Sequence, residues 1–301
     1  MIIVVVGPTA VGKSTLAIEL AKHYDTEVIS GDSVQVYKHL NVGTAKITDD
    51  EADGVPHRML DILEPGEAFS VAQYQRLVRG HIEDLNRQGK QPIIAGGTGF
   101  YVRAVLHDYD FTGAHRPKRF DEKHAHLKNK ELHALLEKKD AKSAAAIHPN
   151  NRTRIIQALY RAESTTPRSE QHDAKKPLYP YIMIGLDMER KTLYERINNR
   201  VDDMIDKGLV DEVESLYLLY GDAPAFDAIG YKEIIGHLKG YYPLETAIDL
   251  IKTNTRRYAK RQLTFFKNQF DCIWLTVNPD RFEDTVDEAI RLIDETKKEK
   301  P

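Results

Sequence analysis

The stretch Gly7-Pro8-Thr9-Ala10-Val11-Gly12-Lys13-Ser14 decides the fold. It fits the pattern G-x-x-x-x-G-K-[ST] and stands between the apolar run Ile2–Val6 and the segment Ser14–His23. That segment carries Leu16, Ala17, Leu20 and Ala21 at helical spacing. Strand, loop and helix in that order form a phosphate cradle. The glycines let backbone N–H groups converge on phosphate oxygens, and the helix N-terminus adds a favourable dipole. Lys13 can neutralise phosphate charge, and the Ser14 hydroxyl can ligate Mg²⁺. The loop identifies a bound di- or triphosphate, not a reaction. A kinase or ATPase is the default. Neither Ile93–Ala95 nor Ile182–Leu186, however, is an apolar run ending in the acidic pair that usually serves the metal.

Outward from the loop, strands and helices alternate. Glu27–Ser30 reads as the second strand. Ser70 and Gln73 form a capping box that opens a helix with Val71, Tyr74, Leu77, Val78, Ile82 and Leu85 on its apolar side, and Gly89 closes it. Pro92–Ala95 is a further strand, running into Gly96-Gly97-Thr98-Gly99. This order predicts a parallel sheet with helices on both faces. The pattern breaks over residues 111–178, which are polar, His-rich and helical, with Gly113, Pro117, Pro167 and Pro177 near the ends. Strands return at Tyr181–Leu186 and Cys272–Val277, with helices between them, the longest about 244–268, and a last amphipathic helix about 281–297. The expected fold is therefore α/β, a P-loop NTPase-like parallel-sheet core (1–110 and 179–301) with an inserted all-helical domain (111–178).

Composition bounds the function. The 301 residues are 41% hydrophobic, and no apolar run approaches the roughly 20 residues of a membrane span. One cysteine, Cys272, leaves neither disulfides nor a cysteine-based zinc cluster. A cytoplasmic, membrane-free monomer is the expectation. The net charge of −3 hides an asymmetry. Residues 111–178 hold 15 Lys/Arg against 8 Asp/Glu, a net of +7, and six of the twelve histidines. Basic charge gathered in one segment is the footprint of a polyanion site, although a solvated helical surface gives the same pattern. His124 and His126 have no metal-ligand spacing and read as surface residues.

Asp32 falls just beyond the second strand, on the sheet edge that carries the phosphate loop, where ligands of open α/β sheets bind. A carboxylate there can take a proton from a substrate amine or hydroxyl, or it can cap a turn. Gly96-Gly97-Thr98-Gly99 follows another strand at the same edge and either admits a ligand or makes a structural turn. The helix bearing Lys252, Arg256, Arg257, Lys260, Arg261 and Lys267 interleaves cations with Tyr258, Phe265 and Phe266. Its cations either snorkel from a core helix or face a polyanion.

Taken in order, these segments resemble the tRNA dimethylallyltransferase (tRNA isopentenyltransferase) family, bacterial type. The resemblance rests on Gly7–Ser14, Asp32-Ser33-Val34-Gln35-Val36-Tyr37, Asn41-Val42-Gly43-Thr44-Ala45-Lys46, Gly96-Gly97-Thr98-Gly99-Phe100-Tyr101 and His148-Pro149-Asn150 leading to Arg154. It continues through Arg200, Gly208-Leu209-Val210-Asp211-Glu212, Ile229-Gly230-Tyr231-Lys232-Glu233 and Thr255–Leu263, and so covers nearly the whole chain. Gly31 stands where the family commonly has Ala, Asn151-Arg152 where it has Asp-Pro, and no Cys/His zinc finger follows the core.

The resemblance implies that the loop Gly7, Pro8, Thr9, Ala10, Val11, Gly12, Lys13 and Ser14 holds dimethylallyl diphosphate rather than ATP. The acceptor it implies is N6 of the adenine 3′-adjacent to the tRNA anticodon. Asp32 would be the general base, Thr98 a positioning hydrogen-bond partner, and Arg200 would join Lys13 and Mg²⁺, with Ser14 as metal ligand, on the departing diphosphate. Asp32, Ser33, Val34, Gln35, Thr98, Arg119, Thr153, Arg154, Ile155, Ile156 and Gln157 match positions that contact the tRNA anticodon stem-loop. The competing functions are prenyl transfer to free AMP or ADP, a small-molecule kinase on the same core, and a non-catalytic RNA-binding P-loop protein. A mononucleotide acceptor would not need the basic insertion.

Overall fold

A computed structural model of the chain describes residues 1–109, 111, 116–164 and 176–299. It divides into two compact units, Met1–Leu106 with Tyr179–Pro301, and His107–Leu178. Gly113 and Pro167, read above as boundary residues, lie outside the described residues.

The first unit is built on six strands: β1 (Ile2–Val6), β2 (Val28–Ser30), β3 (His57–Arg58), β4 (Ile93–Gly96), β5 (Tyr181–Asp187) and β6 (Ile273–Thr276). Their order is β3-β2-β4-β1-β5-β6, and every pairing is parallel. β1 lies inside the sheet with all five residues buried, the environment its unbroken apolar run demands. β3, two residues at the edge, is too short to leave a periodic signal in the sequence. In register, Val6 pairs with Gly96 and Gly185, and Ser30 pairs with Ala95. The loops after β1, β2 and β4 therefore leave the sheet side by side at its C-terminal edge.

Helices of the first unit are α1 (Lys13–His23), α2 (Asp49–Ala52), α3 (Val71–Arg87) and α4 (Gly99–Leu106). The second unit contributes α5 (Lys118–His124), α6 (Asn129–Lys139), α7 (Ala141–Ala146) and α8 (Arg152–Ser164). The first unit resumes with α9 (Arg190–Asp206), α10 (Leu209–Tyr220), α11 (Tyr231–Leu238), α12 (Leu244–Gln269) and α13 (Phe282–Glu299). On one face of the sheet, α3 and α4 join α10 and α11 around Tyr74, Val78, Ile82, Val102, Leu209 and Tyr231. On the other, Leu16 and Leu20 of α1 pack with Leu193 and Ile197 of α9 and with Ala289 and Ile293 of α13. Ser70 accepts from the Gln73 N–H while Gln73 accepts from the Ser70 N–H, the expected capping box at the start of α3.

The second unit has its own core of Leu132, Leu136, Ala144, Ile147, Ile155, Ile156, Ala158 and Leu159. His124 is buried here rather than at the surface, its Nδ1 2.8 Å from the Phe120 carbonyl. His133 Nε2 lies 3.0 Å from both the Ala144 and Ile147 carbonyls. Two of the insertion's histidines are thus structural. Among the described residues no cluster of His, Cys, Asp or Glu could hold a metal ion, and no helix is long and apolar enough to cross a membrane.

Candidate active site

The loop after β1 turns sharply, and its glycines are required. Gly7 and Gly12 have φ of 146° and 107°. A Cβ at Gly7 would lie 2.6 Å from the Leu186 carbonyl oxygen, and one at Gly12 would lie 2.6 Å from the Phe282 ring that opens α13. Within the loop, Lys13 Nζ donates to the Pro8 carbonyl at 2.7 Å, and Arg196 Nε of α9 donates to the Ala10 carbonyl at 3.0 Å. The Thr9 N–H is donated to Gln262 Oε1 at 2.9 Å. Pro8 has no N–H, so the backbone donors left for an anion start at Ala10. The Val11 side chain is buried in the core under α1.

Lys13, Ser14 and Arg200 line one cavity of about 880 Å³. Its walls come from α1 (Ser14, Ile18, Lys22), from residues 41–53 (Val42, Ala45, Glu51) and from α9 (Arg196, Arg200, Met204). Burial, and then the nearby Arg200 guanidinium, pull the Lys13 ammonium down to about 7, against the opposing pull of Asp32. Burial also lowers Arg200, and Asp32 is the leading charge that opposes it. Neither cation is paired with a carboxylate of a described residue, an arrangement chemically suited to a polyanion. Ser14 is exposed in this cavity at the start of α1. Mg²⁺ keeps most of its shell as water and ligand phosphate oxygens and needs few protein ligands, so one serine hydroxyl beside a diphosphate fits it.

Asp32 and Thr98 are brought together by backbone bonds between two loops. Gly31 N–H donates to the Ala95 carbonyl at 2.7 Å, and Thr98 N–H donates to the Gly31 carbonyl at 3.1 Å. Thr98 Oγ1 accepts from the Ser33 N–H at 3.2 Å and donates to Ser33 Oγ at 3.3 Å. Asp32 is half-buried. Its Oδ1 accepts from the Val34 N–H at 2.8 Å and the Gln35 N–H at 3.3 Å, whereas Oδ2 accepts no hydrogen bond from any described residue. One carboxylate oxygen thus caps a turn, as the sequence allows, and the other is left without a donor among the described residues.

Sequence reasoning misses the residue that joins the phosphate loop to the Gly96–Gly99 loop. Gln262 of α12, 5% exposed, accepts the Thr9 N–H and donates from Nε2 to the Gly97 carbonyl at 3.1 Å. Tyr258, one turn earlier, places its hydroxyl against Thr98 and Gln262. A polar residue on the apolar side of α12 is the available signal. Of that helix's cations, Lys252 pairs with Asp202 and Lys267 with Asp187, each at 2.6 Å, while Arg256 donates to Asn198 Oδ1 at 2.6 Å. Arg257, Lys260 and Arg261 remain exposed, Arg261 stacking over the Tyr258 ring. Half the helix's cations are structural and half face outward.

The remaining predicted residues belong to the second unit. Arg119, Thr153 and Arg154 are exposed on α5 and α8. Gln157 accepts from Arg116 Nη1 at 2.8 Å, and Arg116 also pairs with Asp121 at 3.0 Å. Ile155 and Ile156 are 0% and 5% exposed and their side chains belong to the unit's core. Helical spacing turns these two inward while Thr153 and Arg154 turn outward. Arg152 is likewise engaged, donating to the carbonyls of Leu127 at 2.7 Å and His124 at 2.8 Å.

The family model described as IPP transferase matches residues 35–269. The chain belongs to the IPP transferase family. Among IPP transferase relatives, the tRNA dimethylallyltransferase of Bacillus licheniformis is 47% identical over 286 residues, covering 92% of this chain and 91% of the relative. That of Oceanobacillus iheyensis is 46% identical over 301 residues, covering 97% and 95%. The crystal structure of the Staphylococcus epidermidis tRNA delta(2)-isopentenylpyrophosphate transferase is 40% identical with a TM-score of 0.74, covering 98% of this chain and 99% of that one. A eukaryotic dimethylallyltransferase acting on tRNA is 28% identical with a TM-score of 0.86, covering all of this chain and 80% of the other. The α/β P-loop fold expected from the sequence and the bacterial type of the IPP transferase both stand.

Proposed function

We propose that the chain transfers the dimethylallyl group from dimethylallyl diphosphate to N6 of the adenine 3′-adjacent to the anticodon of tRNA, releasing diphosphate. The observation that carries this reading is the placement of Lys13, Ser14 and Arg200 in one cavity, with the Asp32 charge felt by both cations. The N6 lone pair is delocalised into the adenine ring and attacks poorly while its proton stays on. Asp32 Oδ2 accepts that proton as the N6–C bond forms and the allylic C–O bond breaks. Negative charge then gathers on the departing diphosphate, where the N–H groups from Ala10 onward, the Lys13 ammonium and the Arg200 guanidinium stabilise it. Ser14 would hold Mg²⁺, which when bound neutralises part of the same charge. Thr98, fixed to Ser33, keeps the Asp32 turn in place.

The tRNA reading extends to the second unit through its exposed Lys118, Arg119, Thr153 and Arg154. A monomer in the cytoplasm, where tRNA is found, completes the proposal. The test is mass spectrometry of tRNA nucleosides after incubation with dimethylallyl diphosphate and Mg²⁺. Prenylated adenosine at the position after the anticodon is expected. Prenylated AMP with unmodified tRNA would move the chain to the mononucleotide class, and phosphate transfer from ATP would move it to the kinases.

A further inference from the structure

Three stretches that the proposed chemistry leaves unused, Asn41–Lys46, Gly208–Glu212 and Ile229–Glu233, meet at one carboxylate. Glu212, in the first turn of α10, accepts three successive backbone N–H groups: Asn41 at 3.0 Å, Val42 at 2.8 Å and Gly43 at 3.1 Å. A fourth donor is the Tyr231 hydroxyl at 2.6 Å. Successive N–H groups pointing one way form a nest that an anion fills, and here the protein supplies the anion itself. Tyr231 is fully buried, and a Cβ at Gly43 would lie 2.5 Å from its ring, so the loop is held by packing as well as by charge.

The far end of the same loop is also tied. Lys46 is buried and donates to the Tyr37 carbonyl at 2.8 Å, to Asn41 Oδ1 at 3.0 Å and to Asp61 at 2.6 Å. What the loop presents between these anchors is functional surface. Val42 and Ala45 line the cavity that holds Lys13, Ser14 and Arg200, with Met204 as a further apolar wall. From its other side, the Thr44 carbonyl accepts from Gln35 Nε2 at 3.3 Å. The Gln35 N–H in turn donates to Asp32 Oδ1.

We propose that Glu212 is a positioning residue for the donor: by holding the Asn41–Lys46 loop it sets the apolar wall against which the prenyl chain lies, and it steadies the Asp32 turn through Gln35. This rests on the donor being a prenyl diphosphate. Charge-assisted hydrogen bonds are the strong ones, and losing the carboxylate frees three N–H groups at once. The loop then samples positions in which Val42 and Ala45 no longer bound the cavity.

The experiment compares the wild-type chain with Glu212→Ala, Glu212→Gln and Tyr231→Phe. It measures steady-state transfer to tRNA and, separately, calorimetric binding of dimethylallyl diphosphate with Mg²⁺. Glu212→Ala should raise the KM and the Kd for the donor by about tenfold or more while the KM for tRNA stays within about twofold. It should also reduce discrimination against geranyl diphosphate, whose longer chain needs a displaced wall. Glu212→Gln keeps one acceptor oxygen and should fall between. Tyr231→Phe keeps the ring against Gly43 and removes one donor, so about a two- to fivefold rise is expected. A merely structural role would lower kcat through loss of folded protein and leave donor KM and Kd alone. Unchanged donor Kd in Glu212→Gln and Tyr231→Phe, both of which retain packing, overturns the proposal even if Glu212→Ala fails to fold. Absence of prenylated tRNA with wild-type protein would instead defeat the reading of the reaction, and the donor Kd series still decides the role of Glu212.

Discussion

Donor binding should take up a proton, and Lys13 is the reason. Its ammonium is held down to about 7 in the free site by burial and by Arg200. At pH 8 a group of that pKa is about nine-tenths neutral, and at pH 9 about 99% neutral. A diphosphate beside it favours the charged form, so each binding event at pH 8 should draw about 0.9 proton from the buffer. The donor contributes little of this, because phosphate groups with a second pKa of about 6 are already ionised at pH 8. Between pH 8 and 9 the apparent Kd should therefore rise about ninefold, since the competent, protonated fraction falls by that factor. Calorimetry in buffers of different ionisation enthalpy measures the uptake directly as a slope. Lys13→Arg, which stays charged, should show no slope and a flat Kd across this range. The sign for stability is fixed by the same shift. The free native state binds fewer protons than the unfolded chain between pH 7 and 10.5, so the cost of burying Lys13 is full below pH 7 and is relieved as pH rises towards 10.5. A zero slope for the wild-type chain at pH 8 would refute the reasoning.

Three other outcomes follow from the geometry. Asp32→Ala should lower turnover by about 10²–10⁴-fold with donor Kd little changed; near-normal single-turnover rates would remove Asp32 from proton transfer. Neutralising Lys118, Arg119 and Arg154 together should weaken tRNA binding and flatten the salt slope by up to about 2.7, or about 0.9 for each duplex phosphate left without its cation. Filter binding across a salt series reads this, and an unchanged slope would take the second unit out of RNA binding. Ile155→Ala should cost about 2–5 kcal/mol of stability in the second unit through the cavity it leaves. A thermal melt unchanged from wild type would show that this side chain is not core.

The parts of the molecule legible in the sequence are those where one short segment contains its own explanation. The run Ile2–Val6 names a buried parallel strand, the next eight residues name a phosphate loop, and Ser70 with Gln73 names the start of a helix. Asp32 can be placed at the correct edge because strand ends and ligand crevices coincide in open parallel sheets. What stays hidden is non-local. Gln262 reaches the Thr9 N–H across 253 residues of chain, and nothing in the local pattern of α12 announces that partner. The side chains of Ile155 and Ile156 face the core although a collinear match names the whole stretch, because a helix turns only part of such a stretch outward. Their apolar character is itself the signal that they face the core.

Arg152 carries the same lesson for charge. The second unit's excess of cations is a property of its composition, but each guanidinium goes to whichever acceptors lie within reach. The carbonyls of His124 and Leu127 need donors where α5 ends, and Arg152 supplies them. A phosphate would have to displace bonds already made, whereas Lys118, Arg119 and Arg154 give up little to meet one. Arg152→Ala should therefore act differently from the triple neutralisation: it should lower the melting temperature of the second unit by leaving those carbonyls without their donor. Once the chain is folded, the salt slope of tRNA binding should stay at the wild-type value. Equal losses of salt slope per charge in both variants would mean that net charge, and not which cations are free, governs the RNA surface.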